Sequence, residues 1–206
     1  MINILVLFLY EILRMMQKVF QRSKNVNDEH NIHVNDLTSD SFIENQHALK
    51  DIPYGKADMA GCGCEVIAVY NAELSLGKNC VSLHNLISEF KKDGIVLNGK
   101  WGTAPKAIRD YLKRAGYTVL ASSKEKDFDQ IAEKSDTVIV TFFNDKRDVR
   151  KEIHTVCLTK NDGKYMAHNV YCNGKVMGPY ESISEFIMSI NAGYARGIYI
   201  NGVIHC

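Results

Sequence analysis

Several features are scarce in this 206-residue sequence, and each scarcity removes a class of protein. Only three prolines and one tryptophan occur, so proline-rich spacers and low-complexity scaffolds are excluded. Charge of either sign is not in excess: 25 basic and 24 acidic side chains leave a net charge of +1. The basic residues are scattered rather than striped, so no field points to nucleic acid. The apolar run "INILVLFLY" (2–10) has no positive leader and no small-residue cleavage site, and is far short of the ~20 residues that span a bilayer. A Cys-x-x-Cys pair is also missing. Cys62 and Cys64 are separated by one residue, and six cysteines in a chain of this length do not make a disulfide framework. Reduced thiols in a cytoplasmic compartment are the expectation. No internal repeat is present.

What remains is the composition of a globular domain, 46% hydrophobic and 24% charged. The chain divides into three parts. Residues 1–24 read as an amphipathic helix with charges at Glu11, Arg14, Lys18, Arg22 and Lys24. It is expected to pack on its own domain or on a partner, or to lie on a membrane surface through residues 2–22. Residues 25–51, rich in Asn, Asp and Ser, read as a polar linker in which His30, His33 and His47 are solvated. Residues 52–206 form the compact domain. Its first half carries helical patterns: an apolar run ending near Gly77, a segment from an N-cap at Ser82 to Gly94, and a segment with Thr103 as cap, Pro105 in the first turn and Gly116 as stop. Its second half is β-rich: 117–120, 136–143, 153–159, 164–171 and 195–202, with short helices near 128–134 and after Ser182. "KNDG" (160–163) marks a hairpin. Helices first and an antiparallel sheet second make an α+β fold.

The chemistry concentrates at "MAGCGCEVIAVYNA" (59–72). Cys62 sits where a glycine-bounded turn becomes a helix, and first-turn N–H groups with the helix dipole favour a thiolate there. A thiolate nucleophile needs a base, and the base needs an orienting partner. His154 opens an apolar strand, and Asn169 lies across the hairpin, where its amide can orient the imidazole. Cys64 is a rival nucleophile on another helix face. Cys62, Cys64, His154 and Cys157 are all zinc-competent, but none of their spacings is that of a zinc site, so no metal is expected. Cys80 reads as a core thiol and Cys206 as a tail thiol. Trp101 and Gly102, in "NGKWGTAP", read either as the wall of a substrate groove or as a loop anchor.

With these residues in view, "GCGCEVIAVYNA" and "HTVCLTKNDGKYMAHNVYCNG" resemble the papain-like cysteine peptidase superfamily. Within it the nearest likeness is to bacterial peptidases that cleave double-glycine leaders. The resemblance covers roughly Tyr54 to Gly202. It implies helices with the nucleophile at a helix start, packed on a C-terminal antiparallel sheet. It also implies Cys62 as nucleophile, His154 as base and Asn169 as its orienting residue, acting on a peptide or amide bond through an acyl-enzyme without a cofactor. The sequence departs from the pattern at Asn169, where the family usually has Asp and which Val170 rather than Pro follows, and in two places before the cysteine. The residue before Cys62 is Gly61 rather than Asp, and the window upstream of it holds Tyr54, Gly55 and Lys56 but no glutamine. Gln46 lies too far upstream for the usual spacing. The oxyanion donor then falls to Lys56, Tyr54 or the backbone around Gly63, and the alternative is a degenerate module that binds peptides or partners without cutting them.

Overall fold

The structure is a computed structural model, and it describes residues 2–23, 41–77, 81–148 and 153–205. His30, His33, Cys80 and Cys206 lie outside the described residues. The chain forms three layers. The central layer is a six-stranded antiparallel sheet in the order β3-β8-β4-β5-β6-β7. Its strands are β3 (Thr118–Ser122), β4 (Thr137–Phe143), β5 (Ile153–Asn161), β6 (Lys164–His168), β7 (Met177–Tyr180) and β8 (Arg196–Ile204). β4 is buried at every position, as expected for a central strand covered on both faces.

One face carries α3 (Cys64–Ser75), α4 (Leu83–Asp93) and α5 (Pro105–Arg114), with α1 (Ile2–Ser23) lying against α4 and α5. The other carries α6 (Phe128–Glu133) and α7 (Ile183–Ser189). Strand alternation sorts the core accordingly. Ile139, Cys157 and Val203 pack under α3–α5, whereas Val138, Val140, Phe142, Val156 and Leu158 pack under α6 and α7. α3 is buried along ten of its twelve residues, which explains why its sequence is apolar nearly all round.

Local signals account for the element ends. Ser82 and Ser182 cap α4 and α7 by accepting from Asn85 N and Glu185 N. Thr103 does not cap α5. Ala104 is the N-cap and Pro105 opens the helix, because the Thr103 hydroxyl is held by Tyr54 Oη at 2.5 Å. Two loops cross backbone to backbone where Gly55 and Gly99 sit at φ +67° and +95°. A Cβ on Gly99 would stand 2.1 Å from the Tyr54 carbonyl oxygen. Residues 41–51, read from composition as the end of a linker, pack onto the domain. Leu49 joins the helical core, Gln46 is buried, and Ile43 exchanges backbone bonds with the Asn71 side chain at 2.9 and 3.0 Å.

Candidate active site

The turn carrying Cys62 is a short helix of its own. Asp58 caps α2 (Met59–Cys62) by accepting from Gly61 N at 2.7 Å. Gly63 closes it, donating its N–H to Met59 O at 3.0 Å. A Cβ on Gly63 would come within 2.6 Å of that carbonyl, so the bend demands glycine. Cys62 therefore ends α2, and Cys64 opens the long helix. The sequence places Cys62 at the start of the long helix; the side-chain cap at Asp58 and the bend at Gly63 move that start two residues on.

Cys64 is buried and its Sγ lies 3.3 Å from Glu65 Oε2. Burial first, then the adjacent carboxylate, pushes this thiol well above its ordinary value. Cys62 is half-buried against the edge of the helical core. None of Cys62, Cys64, Cys157 and Cys172 forms a disulfide.

Glu65 stands out in an apolar helix. It is 2% exposed and is held by the Thr155 side chain, the Thr103 backbone, the Cys64 thiol and its own N–H. Burial outweighs these bonds and pushes its carboxyl up to about 7. The Thr155 hydroxyl lies 3.0 Å from that of Thr141, extending the polar line into the sheet. Gly102, at φ +62°, closes over it: a Cβ there would lie 3.2 Å from Glu65 Oε2 and 3.3 Å from Cys62 O.

His154 and Asn169 are brought together, but not as the sequence suggests. His154 Nε2 donates to the Asn169 backbone carbonyl at 2.8 Å. The Asn169 side chain faces Gln46 instead, accepting from Gln46 N at 3.0 Å and donating to Gln46 Oε1 at 3.1 Å. The reason is backbone geometry: Asn169 leaves β6 with φ +59°, which separates the directions of its carbonyl and its amide. His154 pairs across the ladder with Phe142 and meets its ring edge-on at 5.9 Å. Phe142 belongs to the core under α6 and α7, whereas the next residue, Thr155, meets Cys64 and Glu65 on the α3 side. The imidazole thus lies on the Phe142 face of β5. Its burial lowers its proton affinity, only partly offset by the Asn169 carbonyl.

The oxyanion candidates are engaged elsewhere. Tyr54 is fully buried, bonded to Thr103, its phenol pushed far up by burial. Gly63 N–H is bound to Met59, and Lys56 is exposed with its backbone N–H on Asn98 O at 2.7 Å. Trp101 leans on Tyr10 of α1 with ring centroids 6.0 Å apart, so it joins the loop to α1 while remaining 45% exposed.

Four residues of this region escape a reading by sequence spacing. Gln46 donates to Ala60 O at 2.8 Å, beside Cys62 although sixteen positions upstream. Glu44 accepts from Asn169 N at 2.8 Å and from His168 Nδ1 at 2.5 Å. His168 is completed by the Thr159 hydroxyl at 2.9 Å and by the Phe42 ring stacked at 4.2 Å. Only Glu65 left a local signal, a charge inside "CEVIAVY". Cys157, opposite His168 in the ladder, contacts Thr137 at 3.6 Å, and burial pushes its thiol up to about 12. Among the described residues no three His, Cys, Asp or Glu side chains converge as metal ligands.

The architecture is an α+β fold in which a cysteine-bearing turn and a buried helix pack on an antiparallel sheet. No known family model and no curated protein matches the chain. Among solved structures it is similar to the peptidase domain of Streptococcus ComA, a bi-functional ABC transporter involved in a quorum sensing pathway. The TM-score is 0.48 at 13% identity, over 69% of this chain and 91% of that one.

Proposed function

We propose that this chain is a papain-like module that engages peptide or protein segments without hydrolysing them. The observation that carries this reading is the commitment of the expected machinery to other bonds. The His154 imidazole rests on the Asn169 carbonyl beside Phe142, and both ends of the Gln46 amide are bonded, to Ala60 and to Asn169. A thiolate–imidazolium pair also needs a histidine that holds its proton, and burial drives His154 the other way. Removal of one oxyanion donor alone typically costs on the order of 100- to 1000-fold in rate.

One observation favours hydrolysis: Cys62 is half-buried on a tight turn with the Gln46 amide beside it. That reading uses the second ring nitrogen, Nδ1, as the one that meets Cys62, with Nε2 kept on the Asn169 carbonyl. The two separate in one experiment, iodoacetamide labelling at neutral pH followed by peptide mapping. The binding reading expects Cys62 to label no faster than Cys172. Selective labelling of Cys62 that is lost in His154→Ala, together with peptide turnover, refutes it. A random-peptide display library supplies the positive arm. Enriched peptides should protect residues 60–65 and 97–103 from hydrogen exchange, and enrichment of nothing above background removes the peptide-binding claim.

A further inference from the structure

Helix α1 is held to the domain by one face. Leu7 is buried with Phe143, Ile198 and Tyr199, Asn3 Nδ2 donates to Gly197 O at 2.9 Å, and Leu13 packs on the helical core. Arg14, 4% exposed, reaches Asp93 at 2.7 Å, Asp110 at 2.9 Å and Glu11 at 3.4 Å, and Lys18 also pairs with Asp93. The outer face is different. Ile4, Leu5, Phe8, Leu9, Met15, Met16 and Val19 are 43–67% exposed, and Ile12 lies half-buried among them.

Among the described residues that face bears no charged side chain, and it presents on the order of 500 Å² of apolar surface. A patch of that size ranks with the largest a typical monomer carries, and such patches are often functional. Leu5, Phe8, Ile12, Met15 and Val19 follow each other at intervals of three and four, the seam of a helix that packs along another helix. The seam is also symmetric about Ile12: Leu9 and Met15 lie three positions either side, Phe8 and Met16 four, Leu5 and Val19 seven. An antiparallel copy centred on Ile12 would set Phe8 against the partner's Met16 and Leu5 against the partner's Val19, the reciprocal pairing an isologous interface requires. Two such faces together remove on the order of 1,000 Å² from water, the size at which a specific interface becomes credible. A lipid surface fits less well. Interfacial helices turn basic side chains to the headgroups, and the described cations of α1, Arg14 and Lys18, are spent on Asp93 and Asp110 inside the protein.

We infer that α1 is a self-association surface, pairing antiparallel with α1 of a second copy of this chain, independently of the chemistry at Cys62. The test is the solution mass of the full chain by light scattering and sedimentation at micromolar concentration. The wild type is expected at twice the monomer mass. Phe8→Glu and Met16→Lys, both on exposed positions that leave the fold intact, are each expected to return it to the monomer mass. The double variant F8E/M16K, which sets each new carboxylate against a new ammonium across the two-fold axis, is expected to restore the dimer. Positions 8 and 16 are too far apart to pair within one helix, so rescue reports the register. A wild type that is monomeric throughout overturns the inference, as do single variants that stay dimeric. A monomeric wild type that sediments with phosphatidylcholine–phosphatidylserine vesicles overturns it in favour of a lipid surface. A double variant that stays monomeric overturns the antiparallel register.

Discussion

Replacing Glu65 with glutamine should tilt the pH dependence of stability. The wild-type carboxyl moves from an ordinary 4.5 in the unfolded chain to about 7 in the fold, chiefly through burial. The folded protein therefore holds a proton that the unfolded chain has already released across that interval. Stability from this group is complete below the unfolded value, falls as pH rises towards 7, and is flat above. At about 1.4 kcal/mol per pH unit, the loss is roughly 3 kcal/mol. Glutamine fills the same volume, can still bond Thr155 and the Thr103 backbone, and does not ionise. Urea unfolding of both proteins, followed by circular dichroism from about pH 4 to about pH 8, gives the wild-type-minus-variant difference, in which all other titrating groups cancel. That difference should be near zero at the acid end and should reach roughly 3 kcal/mol in favour of Glu65→Gln at the alkaline end. A difference independent of pH would show that Glu65 titrates like an exposed carboxylate, and one growing in favour of the wild type would mean the charged form is the stabilised one. Either result refutes the reasoning.

Other outcomes follow from the same geometry. Gly99→Ala should cost at least about 2 kcal/mol in urea unfolding, because the new methyl meets the Tyr54 carbonyl in a backbone region closed to alanine. Arg14→Ala, which leaves the Asp93 and Asp110 carboxylates without their buried partner, should cost roughly 2–4 kcal/mol and make α1 the first site of limited proteolysis. Asn169→Asp puts a carboxylate oxygen where the Nδ2 donor meets Gln46 Oε1, and should cost about 1–3 kcal/mol by the same unfolding assay. The His154 imidazole should titrate below 6.5 by NMR. Its neutral form is the one stabilised in the fold, so it contributes stability at neutral pH that is lost as the pH falls through that value.

What the sequence made legible was local. The serine caps of α4 and α7, the proline that opens α5 and the "KNDG" hairpin, with Asp162 and Gly163 at positive φ, each act within a few residues, and the α+β layout followed from them. The candidate site depended on three things that spacing does not encode. The direction of His154 is set by the ladder register that pairs it with Phe142, and a one-residue shift would reverse it. The use of the Asn169 amide depends on a single positive φ. The approach of Gln46 to Cys62 depends on a chain segment whose composition reads as a linker, because its few apolar anchors, Ile43 and Leu49, are diluted by polar residues that turn out to be bonded inside.

That segment, residues 41–51, also bears on the order in which the protein assembles. It precedes the helices and strands it packs on, yet Gln46 and Glu44 find their partners at Asn169 and His168, 123 to 125 positions later, and Gly174 N closes on Glu44 O. Until β6 has formed, the Asn169 and His168 partners are absent, and the segment is left as a long unclosed loop whose ends are costly to bring together. The turn bearing Cys62 is buttressed by the same residues, through Gln46 and Ala60. Its final shape is therefore fixed late, by a contact that closes 123 positions of chain, rather than by the helix on which it stands.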